Sequence, residues 1–230
     1  MQPAELEALI ASETRFAELL MKTGWRVEDP LSSQVSKTVI RPRQASSSID
    51  ASYYQRLHEE DAGYMANNWL VAEQAVILSS KPKTVVEVGC GNGEFSRAIA
   101  GSVRKVYAVD WALSPKFVER PQNVLFWKAD ITKDKIPSGD ITCSADVLEH
   151  FSAEDLTRVV GKCATSSPLQ YHVIACYDDG HSHLTVMPPG AWLALWWRFC
   201  PGARLIRIDC RRNRPDQLVC VIGNITPPSP

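Results

Sequence analysis

The stretch Thr84-Val-Val-Glu-Val-Gly-Cys-Gly-Asn-Gly-Glu-Phe-Ser96 constrains the fold more than any other part of the chain. Thr84 to Val88 is β-branched except for Glu87, the composition of a strand covered on both faces. Gly89, Gly91 and Gly93, with Cys90 and Asn92 between them, let the backbone turn sharply and approach a ligand with no Cβ in the way. Phe95, Ala98 and Ile99 follow at helical spacing. A strand, a glycine turn and a helix start together make a nucleotide-type binding site.

Spacing narrows the ligand. The glycines fall as G-x-G-x-G, and Glu94 stands where a dinucleotide fingerprint would run toward its third glycine. This argues against a nicotinamide-binding oxidoreductase, and the absence of G-x-x-x-x-G-K-[ST] excludes a P-loop. Three further strand ends carry acids. Lys105 to Asp110 reads as a strand ending in a carboxylate, about 20 positions after the turn, where an acid accepts ribose hydroxyls. Trp111 follows as a neighbour for a base. Val124 to Ile131 ends on Asp130, and Asp140 to Phe151 runs through D-V-L-E-H-F. In an open α/β sheet, ligands bind at the carboxyl ends of the strands. All these groups fall at that edge, as does the loop Asp178-Asp-Gly-His-Ser-His183.

The four segments, in this order over residues 84 to 151, resemble the motifs of class I S-adenosylmethionine (SAM) dependent methyltransferases. The resemblance implies an enzyme with a seven-stranded, mostly parallel Rossmann-like sheet that ends in an antiparallel strand pair. It implies that Glu87, Gly89, Cys90, Gly91, Asn92 and Gly93 hold the methionine part of SAM. Asp110 and Trp111 would take the ribose and its surroundings, Asp130 and Ile131 the adenine, and Asp146 a further face of the cofactor. Asp146-x-x-Glu149-His150 is also similar to the E-x-x-E-H of metal-assisted O-methyltransferases, among them the ubiquinone-pathway and small-RNA 2′-O-methyltransferases. On that similarity Asp146, Glu149, His150 and a downstream histidine, His183 or His181, would ligate Mg²⁺ or Mn²⁺. Without a metal, His150 or His183 is the candidate base, since an imidazole titrates near working pH.

The resemblance leads to O-methylation of a hydroxyl on a sugar, glycan or other small molecule, with an RNA 2′-hydroxyl still among the acceptors. The segment H-S-H…P-P-G-A-W and the Asn67-Asn-Trp69 lead are weakly similar to methyltransferases of polysaccharide biosynthesis. N- or C-methylation without metal, and a silent SAM-binding partner in a complex, are the alternatives. Methyl transfer is a displacement at a sulfonium carbon, so the enzyme chiefly orients the acceptor and excludes water. An alcohol additionally needs a base or a metal.

The rest of the chain sets bounds. At 230 residues and a net charge of -1 it suits one domain, with no bulk attraction to nucleic acid or anionic membrane. Seven cysteines, an odd number without C-x-x-C, read as reduced thiols in a cytoplasmic protein. No signal peptide and no apolar run long enough to span a membrane is expected. Residues 1–80 are expected to form a helical lead over the site, within the same domain as an 81–225 core. A helix is expected over 4–22, then a linker with a short strand near Val35 to Ile40. Helical structure is expected from Tyr53 to Ser79, broken near Gly63. Further helices are expected over 94–101, 114–119, 153–165 and 188–199, and residues 226–230 as a disordered tail. His58, beside Glu59, Glu60 and Asp61, reads as a surface residue, and His172, inside a strand, as structural. Trp192, Trp196 and Trp197 read as a core stripe.

Overall fold

The computed structural model describes residues 27–28, 37–40, 49–214 and 216–226. The expected helix over 4–22 and most of the linker and tail lie outside the described residues. Ten strands are described: β1 (Val27–Glu28), β2 (Lys37–Ile40), β3 (Thr84–Val88), β4 (Lys105–Asp110), β5 (Val124–Lys128), β6 (Ile141–Ala145), β7 (Leu169–Ala175), β8 (Thr185–Val186), β9 (Arg204–Cys210) and β10 (Leu218–Gly223). The α-helices are α1 (Ala51–Glu60), α2 (Ala62–Ala66), α3 (Gln74–Ser79), α4 (Glu94–Ile99), α5 (Ala153–Ser166) and α6 (Pro189–Trp197).

Seven strands form one sheet in the order β5-β4-β3-β6-β7-β10-β9. The first five run parallel, and β10 lies antiparallel to both β7 and β9. The parallel core and the closing antiparallel pair are as the sequence led one to expect. A second, small sheet, β1-β2-β8, was not anticipated as a unit. In it the short strand expected near Ile40 pairs with the segment just after His183.

Alternation along β3 builds the two layers. Val86 and Val88 face one side, against Leu156, Val159, Val160 and Cys163 of α5 and the fully buried Trp192 and Trp196 of α6. Val85 faces the other, with Ile77 of α3 and Phe95 and Ile99 of α4. The α5 residues recur at i, i+3, i+4 and i+7, so one apolar stripe faces the sheet. Ser152 stands at the N-cap of α5 as expected, but its hydroxyl donates to Asp155 rather than capping a backbone amide.

Two expected helices are shorter than the pattern implied. The 53–79 run is split into α1, α2, a 3-10 turn at Trp69–Glu73, and α3. Asp61 causes the first break: it ends α1 in an extended conformation, and its carboxylate caps Tyr64 N at 2.8 Å to start α2. The 114–119 segment is a single 3-10 turn, Pro115–Phe117. Among the described residues no helix is long and apolar enough to cross a membrane.

At β3 the sheet switches direction, with β4 on one side and β6 on the other. The crevice at the carboxyl ends of such a pair is where open α/β sheets bind ligands. Here that crevice lies between the glycine turn after β3 and the Asp146-Val147 turn after β6.

Candidate active site

A cavity of about 780 Å³ opens at this crevice, within the range of small-molecule sites. Glu87, Gly89, Cys90, Gly91, Asn92, Asp110, Trp111, Asp130, Ile131, Asp146, His150 and His183 all line it. Of the residues singled out from the sequence, Gly93, Glu149 and His181 do not.

The turn depends on its glycines for two separate reasons. Gly89, Gly91 and Gly93 all have positive φ, +69°, +52° and +70°, which other residues adopt only at a cost. At Gly89 a Cβ would also strike the Val147 side chain, and at Gly93 the Phe117 ring. The glycine turn, the 146–147 turn and the Pro115–Phe117 turn are thus packed backbone to side chain.

Glu87 is buried, and Ser96 Oγ donates to its carboxylate. Burial pushes its pKa up to about 8, so the site stores an acid that a nearby cation would ionise. Asp110 accepts from Gly91 N at 3.0 Å and Ala112 N at 3.1 Å, which aims both oxygens. Burial raises its pKa, against these amide bonds. Asp130 is tied to Thr132 Oγ1 at 2.6 Å and Lys133 Nζ at 2.7 Å. Asn92 spends its side chain on protein: its amide donates to Met65 O at 3.0 Å, and its oxygen accepts from Glu94 N and Asn68 Nδ2. It fastens the glycine turn to the segment that precedes α3.

Glu149, His150 and His183 come together, with one ligand atom from each lying within 4.8 Å of the others. Each is held at one end. Glu149 Oε1 accepts from Ala175 N at 3.2 Å, while its buried Oε2 has no partner among the described residues. His150 Nδ1 lies 3.0 Å from the Ser182 carbonyl, with the Tyr54 hydroxyl 3.2 Å away. His183 Nδ1 lies 2.6 Å from the Tyr177 carbonyl. A carbonyl only accepts, so each Nδ1 donates to its carbonyl, and His183 Nε2 in turn lies 4.0 Å from Asp179 Oδ2. Burial and the neighbouring His183 ring push the pKa of His150 down to about 4. Burial, then the charge of Asp146, raises the pKa of Glu149 well above the usual range.

Two candidates from the sequence stand apart from this cluster. Asp146 gives both carboxylate oxygens to Arg211, one of these bonds at 2.7 Å. Arg211 is itself buried and stacks on Trp69, 4.2 Å from the ring centroid. Asp146, a non-glycine residue at φ +55°, is held in place by this pair. His181 is exposed and bonds the Tyr53 hydroxyl at 2.9 Å. Asp179 carries the loop between them. Burial would raise its pKa, but the backbone amides of His183 and His181 and the Ser182 hydroxyl outweigh it and hold it far below the usual carboxylate range.

Sequence reasoning missed Arg211 and His58. Arg211 sits in a cluster that reads as a solvated surface, and its partner is 65 positions away. His58 is buried in the cavity wall rather than exposed. Its signal was the i, i+4 pair with Tyr54, the two buried residues of α1. Tyr64 lines the same wall, whereas Tyr53 and Arg56 face a separate shallow hollow.

Residues 86–166 match the family model of a methyltransferase domain. Comparison with curated proteins finds no match. Solved structures share the fold at low identity. An N-methyltransferase, NodS, from Bradyrhizobium japonicum in complex with S-adenosylhomocysteine aligns with a TM-score of 0.58 at 14% identity, over 78% of this chain and 98% of its own. The Burkholderia thailandensis 1,6-didemethyltoxoflavin-N1-methyltransferase aligns with a TM-score of 0.61 at 13% identity, over 83% and 96%. A Nostoc punctiforme chain provisionally classed as an O-methyltransferase aligns with a TM-score of 0.55 at 10% identity, over 77% and 62%. The domain match over residues 86–166, the shared fold and a cleft at the switch point agree with one another, and all three are similar to SAM-dependent methyltransferases.

Proposed function

We propose that this enzyme methylates a hydroxyl on a sugar, glycan or other small molecule, and that Glu149, His150 and His183 hold a divalent metal that assists. The observation that carries the reading is the convergence of these three donors, each anchored at one atom by a backbone group and each bringing one ligand atom within 4.8 Å of the others. The fit is chemical. A buried carboxylate oxygen without a partner is costly unless protonated or bound to a cation. Imidazoles tied through Nδ1–H to carbonyls have the arrangement that orients metal-ligating histidines. One carboxylate and two imidazoles suit Mn²⁺ or Zn²⁺ better than Mg²⁺.

A bound metal would supply Lewis acidity, lowering the pKa of an acceptor hydroxyl. His150 is a poor base by itself. With a pKa of about 4 it is neutral at pH 7, yet takes a proton only weakly. That same low pKa means protons do not compete for its lone pair. Asp146 is then not a ligand. Its pair with Arg211 sets the turn that leads from β6 into Glu149 and His150. Asp179 does the same for His183 through the loop amides.

SAM supplies the electrophilic methyl group. In this reading Glu87 regains its charge beside the amino group of the methionine tail, and the glycine turn gives that tail room. Asp110 accepts the ribose hydroxyls, and Asp130 with the amide of Ile131 meets the adenine edge. Tyr54, Tyr64 and Trp111 close the aromatic side and exclude water. The seven cysteines, all among the described residues, form no disulfide, which fits a reducing, cytoplasmic setting.

A second reading, N-methylation without metal, is favoured by the names of two structural neighbours. Transfer of labelled methyl from SAM to a panel of glycans, phenols, small RNAs and amines separates the two. The proposal expects hydroxyl products that EDTA abolishes and Mn²⁺ restores. Products on amines alone, indifferent to EDTA, would replace it with the second reading.

A further inference from the structure

His58 is a buried polar residue whose Nδ1 nothing among the described residues satisfies. It projects from α1 into the cavity wall, 1% exposed, and its Nδ1 has no hydrogen-bond partner among the described residues. Leaving such an atom without a partner costs about 1–3 kcal/mol. The Tyr64 ring packs against it at 5.0 Å centroid to centroid and 68° between the planes. Water or a ligand is left as its partner.

Its surroundings say which part of a ligand. His58 and Asp110 flank the same glycine. Gly91 N donates to Asp110 at 3.0 Å, and a Cβ placed on Gly91 would stand 4.0 Å from His58 Cε1. The two side chains feel each other's charge without being bonded to one another. The imidazole and the carboxylate therefore face a common space over the turn. A group that fills it must offer protons to Asp110 and also meet an imidazole nitrogen. A vicinal diol does both, because each hydroxyl is donor and acceptor at once.

The helix that brings His58 is closed over the cleft by several bonds. Gln55 clamps the backbone of Leu113 from both sides, at 3.0 Å each way, just beyond Asp110. Tyr54, one turn before His58, reaches His150. We propose that His58 is a cofactor-binding residue, bonding a ribose hydroxyl opposite Asp110 and so coupling cofactor occupancy to closure of α1. This rests on the SAM reading of the cleft.

Calorimetric titration tests it with two probes, S-adenosylhomocysteine and methylthioadenosine, the second lacking the amino-acid tail. The proteins are wild type, His58→Ala and His58→Asn, the last keeping an amide near the Nδ1 position. One lost hydrogen bond corresponds to a weakening of roughly three- to tenfold. The proposal expects His58→Ala to weaken both probes by about this common factor, and His58→Asn to weaken them less. The α1 segment should also be cut faster by protease in ligand-saturated His58→Ala than in ligand-saturated wild type. Equal affinity of His58→Ala and wild type overturns it. So does weakening confined to S-adenosylhomocysteine, which would move the contact to the amino-acid tail. Failure of the wild type to bind either probe would instead remove the SAM reading on which the proposal rests.

Discussion

Gly93→Ala is expected to damage the protein through two separable terms. Gly93 sits at φ +70°, ψ +15° ahead of α4. An alanine there pays about 1–2 kcal/mol for the left-handed backbone. Its Cβ would also overlap the ring of Phe117, which is fully buried and carries the Pro115–Phe117 turn. Such a ring has little room to retreat, and overpacking of this kind costs about 1–3 kcal/mol. The sum, about 2–5 kcal/mol, is a large share of an ordinary domain's stability. Urea unfolding, followed by tryptophan fluorescence, measures the sum. A Phe117→Ala background splits it, because the steric term vanishes while the backbone term stays. There Gly93→Ala should cost only about 1–2 kcal/mol. Equal costs in both backgrounds would refute the packing argument. A cost below about 0.5 kcal/mol in the wild type would refute both terms.

Asp110→Ala should weaken S-adenosylhomocysteine at least tenfold by calorimetry, since two ribose hydroxyls lose a charged acceptor of about 1.5–3 kcal/mol; unchanged affinity would move the ribose elsewhere. Arg211→Ala leaves the Asp146 carboxylate without its bidentate partner and should destabilise the fold by about 3 kcal/mol or more, read from urea midpoints. Arg211→Lys should recover only part, because an ammonium does not reproduce the fork or the stack on Trp69. His172 is bonded to Ser144 and Gln170, stacked on Trp196, and burial lowers its pKa to about 3. The unfolded chain takes this proton near pH 6.5 and the folded one does not. Its contribution is therefore whole above about pH 6.5 and is lost as pH falls from there toward 3. Stability measured between pH 7.5 and 4.5 should fall less steeply in His172→Gln, and an unchanged slope would contradict the assignment.

Local features carried most of what was legible in the sequence. The run from Thr84 to Ser96 states its own structure, since a buried strand, positive-φ glycines and a helix start are all encoded in adjacent residues. The acids at the ends of β4 and β5 follow from strand length and spacing alone. What stayed hidden depends on partners far along the chain. Asp146 matched the ligand position of a known pattern, but Arg211 claims its carboxylate, and no local signal ties positions 146 and 211. His183 and His181 are indistinguishable by spacing. The turn fastened by Asp179 buries the first and exposes the second. His58 was misread because three acids follow it, although the Tyr54 and His58 pair at i, i+4 marks the buried face of α1. The small sheet β1-β2-β8 was unreadable, because strands of two to four residues leave too little pattern.

The metal site is the central claim, and Mn²⁺ binding tests it without any acceptor in hand. Electron paramagnetic resonance counts free Mn²⁺ as metal-free protein is titrated, for wild type, His183→Ala, Glu149→Gln and Asp146→Asn. The account predicts one site per chain in the wild type, lost or at least tenfold weaker in His183→Ala and Glu149→Gln. Asp146→Asn, which keeps the shape of a residue placed outside the ligand set, should retain it. No stoichiometric binding by the wild type, or binding that survives loss of His183 and Glu149, would contradict the account.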